Sequence, residues 1–322
     1  MIPFRRFLCG GVLALGTIVA LADAQQPGKG QKLPDGVTLD ADIPYAATDN
    51  ARQRLNLLLP KTRKDEKPLP VVVYIHGGAW LGGDRKGGHS RLAAYVASGE
   101  YAGIAVGYRL TGEAIWPAPI HDCKAAIRWI RANAKKYNLD PDKIGVVGDS
   151  AGGHLVALLG TSGGVRELEG DLGPHKGVSS RVQCVVDYYG PAEMLTMQDG
   201  GSKMDHDGPK SPEGKLLGGR VKDKKEAAIA ASPITYVVAD NPPFLIIHGN
   251  KDPTVPYNQS ERLSAALKKA KVECYFVTVD GGGHGGFRNP EVQKRERQFF
   301  DKHLRGVQTK ISEETIPNEA PK

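Results

Sequence analysis

Short apolar or β-branched runs, each bounded by turn residues, recur along the chain at 54–60, 71–76, 102–110, 143–149, 182–190, 243–249 and 272–279. Runs of this length and composition predict strands. The intervening stretches 91–98, 121–137, 151–159, 259–270 and 291–304 predict helices. Such alternation predicts an α/β domain with a mostly parallel central sheet and helices on both faces. The period is clearest over 121–137, where Cys123, Ala126, Ile127 and Ile130 share one face while Lys124, Arg128, Arg131 and Lys135 lie elsewhere.

Two stretches break this rhythm. Residues 160–181 and 192–225 are polar and rich in glycine, and loops of that length in a compact domain are usually functional. They read as rim or cap segments over a pocket. At the N-terminus Arg5 and Arg6 precede an apolar run over 7–22, and Ala22-Asp23-Ala24 offers a small-x-small cleavage site. The run is shorter than the roughly 20 residues of a membrane span, so a cleaved export signal is expected rather than an anchor. The expected division is a signal peptide at 1–24, a flexible segment at 25–41, one catalytic α/β domain at 42–305 and a disordered tail at 306–322.

With 322 residues, 40% of them apolar, the chain can bury a large core. A formal charge of +7 invites a nucleic-acid reading, but the basic residues are scattered, which argues for a solvated face and against a nucleic-acid partner. Cys123, Cys184 and Cys274 allow at most one disulfide beyond the leader, and buried thiols in strand-like runs are the simpler reading.

The chemistry concentrates at one junction. Gly148-Asp149-Ser150-Ala151-Gly152 stands where the run at 143–149 hands over to a helix. A G-x-S-x-G turn from strand to helix presents the serine hydroxyl above the sheet edge, beside the free amides and positive dipole of the helix start. Ser150 is therefore a candidate nucleophile. A second glycine turn after an earlier strand, His76-Gly77-Gly78, offers amides for an oxyanion, with Ala151 completing the set of Gly77, Gly78 and Ala151. His76 reads as a structural hydrogen-bonding residue. A serine hydroxyl needs an imidazole to take its proton and a carboxylate to orient that imidazole. Asp252 follows the run at 243–249, and His284, in a glycine loop, follows the run at 272–279. Of the nine histidines, His284 alone combines flanking glycines with a preceding strand. Asp187, which also ends a strand after the serine, is the rival acid. Trp80 and Asp149 are candidate pocket residues, although Trp80 is as readily a core plug beneath the loop. No Cys or His cluster has metal-ligand spacing and no phosphate-binding glycine loop follows a strand, so neither metal nor nucleotide cofactor is expected.

The segments "HGGAWLGGDR", "GDSAGGHLVAL", "ASPITYV" and "PPFLIIHGNKDPTVP" resemble those of α/β-hydrolase-fold carboxylesterases and lipases. Among these are relatives of hormone-sensitive lipase and bifunctional acetyl xylan/feruloyl esterases. The resemblance runs over about 42–305 and implies Ser150, Asp252 and His284 as a triad, with Gly77, Gly78 and Ala151 as the oxyanion hole. Ala79 departs from it, standing where the nearer lipases carry a third glycine. The implied activity is hydrolysis of short-acyl or aromatic carboxylic esters through an acyl-enzyme. Substrates would be small esters or ester-decorated polysaccharides, with no stable membrane insertion after signal cleavage. A serine peptidase of the same fold and a non-catalytic relative are the alternatives. The sequence assigns no oligomeric state.

Overall fold

A computed structural model describes residues 33–319. Their centre is a nine-stranded sheet in the order β1-β2-β4-β3-β5-β6-β7-β8-β9. The strands are β1 (Val37–Pro44), β2 (Arg54–Pro60), β3 (Leu69–Ile75), β4 (Ala102–Val106), β5 (Leu139–Asp149), β6 (Cys184–Tyr188), β7 (Phe244–Gly249), β8 (Cys274–Asp280) and β9 (Ile316–Pro317). β1 and β2 pair antiparallel, as do β2 and β4, and every other pairing is parallel. The helices are α1 (Gly88–Ala97), α2 (Ala118–Tyr137), α3 (Ala151–Thr161), α4 (Arg166–Glu169), α5 (Pro212–Leu217), α6 (Lys225–Ala230), α7 (Asn258–Lys269) and α8 (Glu291–Arg305).

Every residue of β3, β4, β6 and β7 is buried, because helices cover both faces of the parallel part. Ile127 of α2, Leu155 of α3 and Leu263 of α7 pack on one side. Leu92 and Val96 of α1 and Phe299 and Phe300 of α8 pack on the other. The α8 face is also tied by a buried carboxylate: Glu296 accepts from the hydroxyls of Tyr95 at 2.8 Å and Tyr188 at 2.5 Å, and pairs with Arg91. Cys123, Cys184 and Cys274 are free and buried, so the cysteines act as small apolar side chains.

Three expectations need correction. The sheet begins at Val37, inside the segment expected to be flexible at 25–41. β1 is an edge strand with mostly exposed residues, so it shows no apolar run and is held mainly by its pairing with β2. The tail expected to be disordered from 306 is docked through residue 319: Ile311 and Ile316 are buried, and Ile316–Pro317 pair with β8. Two isolated isoleucines in a polar segment leave no periodic signal. The expected leader at 1–24 lies outside the described residues.

The third correction is one of place: 160–181 lies along α2 and not at the catalytic triad, and its residues 166–172 border a cavity shared with Arg109 and His121. Lys124 is fully buried because its ammonium donates to Ser162 O at 2.7 Å and to Glu169 at 2.6 Å. Arg128, 1% exposed, donates to the Glu169 and Leu172 carbonyls at 2.8 and 3.1 Å. The positions off the apolar face of α2 therefore hold a loop. The second stretch does sit at the catalytic edge. Gln259 Oε1 accepts from the amides of Ala192 and Glu193 at 2.9 and 2.8 Å, Ser202 Oγ lies 3.4 Å from Pro253 O, and Leu216 O accepts from Trp116 N.

Candidate active site

The turn from β5 into α3 is tight because two backbones touch there. A Cβ on Gly152 would lie 2.1 Å from Ile75 O, a separation no side chain adopts, so the first turn of α3 can seat against β3 only with glycine. Ser150 occupies φ 55°, ψ −120°. A non-glycine residue there stores on the order of 1–3 kcal/mol of strain. Its amide donates to Tyr188 O at 2.9 Å, which fixes the elbow to β6. The loop after β3 abuts the same turn: a Cβ on Gly77 would fall 2.5 Å from Asp149 Oδ2 and 2.7 Å from Asp149 O. Gly77 thus lies beside the residue preceding Ser150, Gly78 follows it in the loop and packs against Gly82, and Ala151 opens α3. Ala79, where the resembling lipases have glycine, sits at φ 55°, a left-handed conformation that a third glycine would adopt without strain.

Residues from three strand ends meet above this turn. Ser150 Oγ donates to His284 Nε2 at 2.9 Å, and His284 Nδ1 donates to Asp252 Oδ2 at 2.7 Å. Asp252 is buried, its side chain 0% exposed, while the His284 side chain is 22% exposed. Burial would raise the Asp252 carboxyl, but hydrogen bonds from His248 and His284 outweigh it and bring the pKa down to about 2. Amides of Thr254 and Val255 donate to its other oxygen at 2.7 and 3.0 Å. The line can therefore pass a proton from hydroxyl to imidazole beside a permanently ionised carboxylate.

The remaining sequence candidates separate. Asp187 is turned away: its Oδ1 accepts from Gly190 N at 2.9 Å, and a Cβ on Gly153 would lie 2.4 Å from that same atom. Burial raises its carboxyl to about 7, the Gly190 amide offsetting part of the effect. Trp80 is 2% exposed and its indole N–H donates to His154 Nδ1 at 3.2 Å, so it is the core plug and not an open pocket wall. His154 is fully buried; it donates from Nε2 to Ala231 O at 2.6 Å, and burial lowers its pKa to about 4. Asp149 is partly exposed, with Oδ1 accepting from Tyr74 OH at 2.6 Å. His76 has a structural place, its Nδ1 2.8 Å from Gly77 O and its ring stacked on Tyr108 at 4.3 Å. Among the described residues no cluster of three or more His, Cys, Asp or Glu is arranged to hold a metal.

Two contributors had no signal in the sequence. Tyr189, at φ 43°, sets its ring 4.7 Å from that of His284. His248 bonds Asp252 Oδ2 at 3.2 Å from the end of β7. Each lies in an ordinary strand-end run, and only the approach of other loops gives it a part in the site.

The sequence profile of the BD-FAE family matches residues 55–267, which spans β2 to α7 and includes Ser150 and Asp252. The chain belongs to the BD-FAE family. Its sheet, with the serine elbow after β5, is the α/β-hydrolase fold. The mycobacterial esterase LipQ of Mycobacterium tuberculosis is 35% identical over 236 residues, which are 71% of this chain and 53% of LipQ. LipC of the same organism is 34% identical over 236 residues, 69% of this chain and 55% of LipC. The chain thus spans about half the length of these curated relatives. A structure described as a truncated form of carbohydrate esterase from gut microbiota superposes with a TM-score of 0.79 at 34% identity, covering 85% of this chain and 100% of that one. A bifunctional GH43-CE protein of Bacteroides eggerthii gives 0.77 at 36% identity, covering 85% of this BD-FAE chain and 36% of its own.

Proposed function

We propose that this BD-FAE chain is a serine carboxylesterase acting on short-acyl or aromatic esters, with ester-decorated carbohydrate as the natural substrate class. The observation that carries it is the continuous line from Ser150 Oγ through His284 to Asp252, at 2.9 and 2.7 Å. Ser150 Oγ attacks the ester carbonyl as its proton passes to His284 Nε2. The carbonyl oxygen gains the charge and rests on the amides of Gly77, Gly78 and Ala151. Removing one such donor typically costs about 100- to 1,000-fold in rate. When the carbon–oxygen bond breaks, His284 returns the proton to the departing alcohol. Water, deprotonated in turn by His284, then releases the acid and restores Ser150. Asp252, ionised throughout neutral pH, stabilises the imidazolium formed at each step.

Carbohydrate as the alcohol portion draws support from the two carbohydrate-esterase neighbours and from the polar segment 192–225 at the rim. The export signal expected at 1–24 would place the enzyme where polysaccharide is met. Among the described residues no helix is long and apolar enough to cross a membrane. The test is a panel of p-nitrophenyl esters run beside acetylated xylan, methyl ferulate and aminoacyl anilides, with fluorophosphonate labelling of the wild type and Ser150→Ala. Release of acetate or ferulate and labelling confined to the wild type are expected. Labelling of Ser150→Ala, or preference for the anilides, would overturn the reading.

A further inference from the structure

Asp252 is held by more than the partner its role requires. With Oδ1 fixed by the Thr254 and Val255 amides, the direction of Oδ2 depends on who donates to it. One donor is His284. The other is His248, whose ring is fully buried at the end of β7. His248 Nε2 lies 3.1 Å from Val255 O, an atom that can only accept, so that nitrogen carries a proton. The same N–H faces Asp252 Oδ2 at 3.2 Å. Its Nδ1 then accepts from Ser260 Oγ at 2.7 Å; Ser260 lies on α7 and is 1% exposed. The ring edge of Tyr257, 5.4 Å away between centroids, packs against the same imidazole.

Val255 and Ser260 alone would satisfy a buried structural histidine. The contact with Asp252 goes further, because it joins the same carboxylate oxygen that His284 bonds to a residue at the end of β7. His284 stands on a partly exposed glycine loop and is protonated twice per turnover. An Oδ2 bonded to it alone would follow its movements, whereas a second donor anchored in β7 holds the oxygen still. We propose that His248 is a positioning residue: its Nε2–H, kept in that tautomer by Ser260, aims Asp252 Oδ2 at His284. This rests on the acyl-transfer reading of Ser150, Asp252 and His284.

The test uses the full chain with His248→Leu, His248→Gln and Ser260→Ala, reading kcat and KM on p-nitrophenyl acetate and the downfield proton resonance of His284 Nδ1–H. A hydrogen bond to a charged group is worth enough to expect about a 10- to 100-fold fall in kcat for His248→Leu. KM should change by less than about twofold, since ground-state binding is untouched. His248→Gln, whose amide can place an N–H at the same point, should recover more than half of the loss on a logarithmic scale. Ser260→Ala should show a smaller fall of the same kind, and the resonance should move upfield in step with kcat. A folded His248→Leu with kcat and resonance unchanged overturns the proposal, as does His248→Gln equal to His248→Leu. If His248→Leu does not fold, Ser260→Ala decides, and wild-type kcat and resonance there overturn it. Should Ser150→Ala remain active, the acyl-transfer reading itself has failed. Should Ser150→Ala be dead while these variants behave as wild type, only the role of His248 has failed.

Discussion

The two arms of the catalytic line are built by different means. The nucleophile arm, β3 and β5 with the start of α3, is a matter of backbone against backbone: Gly152 beneath Ile75 O, Gly77 beside Asp149, Ser150 held at φ 55°. The acid–base arm, at the ends of β7 and β8, is a matter of side chain against side chain: His284, His248 and two amides converge on Asp252, with the Tyr189 ring against His284. The first arm tolerates almost no added atom, and the second depends on hydrogen bonds that single substitutions delete. Atoms added to the backbone contacts of the first should therefore appear in stability, and loss of a side-chain group on the catalytic line itself in turnover.

Ser150→Ala is the sharpest cut, since it removes the attacking oxygen with little change in volume. About a 10^6-fold loss of kcat is expected, with wild-type thermal unfolding or slightly better as the elbow loses a polar group. Asp252→Asn comes next. Its amide cannot orient the same imidazole tautomer, and kcat should fall about 10^4-fold, while urea unfolding moves little; a variant with near-normal kcat would return Asp187 to consideration.

Gly152→Ala reverses the pattern. The new methyl meets Ile75 O at 2.1 Å, so the variant should lose about 3 kcal/mol or fail to accumulate. An unfolding midpoint equal to wild type would mean that α3 can shift freely and that the elbow is not constrained as described. His154, one turn along α3, supplies a subtler contrast. Its imidazole is held near pKa 4 against an ordinary 6.5, because burial penalises its charged form. The unfolded chain therefore binds the extra proton first. This contribution to stability is whole above about pH 6.5 and is lost as pH falls toward 4, by about 3 kcal/mol in all. Denaturant unfolding at pH 7.5, 6, 5 and 4 should show the slope, and His154→Gln should flatten it.

These contrasts also explain what could be read in advance. Each of the seven predicted strands and five predicted helices overlaps an observed element, with bounds that differ by up to four residues, because apolar runs and helical spacing are local signals. Asp252 and His284 were legible because each follows a strong apolar run with turn residues. β1 was not, since an edge strand keeps its polar residues in water and shows no run. Lys124 and Arg128 read only as positions off the apolar face of α2 because nothing near them in sequence announces Glu169, 45 and 41 residues on, which pairs with both.

The sequence by itself determined the turn chemistry: which serine stands on a strained elbow, which glycines let two backbones meet, and which loops carry an acid and an imidazole. Each of these follows from a few adjacent residues and the conformations open to them. The tertiary structure alone decided that Asp252 and not Asp187 faces His284, that Trp80 lies inside the core, that 160–181 covers α2, and that His248 and Tyr189 share the site. Such choices depend on distances between segments far apart along the chain, which packing of the whole sheet sets and no local pattern records.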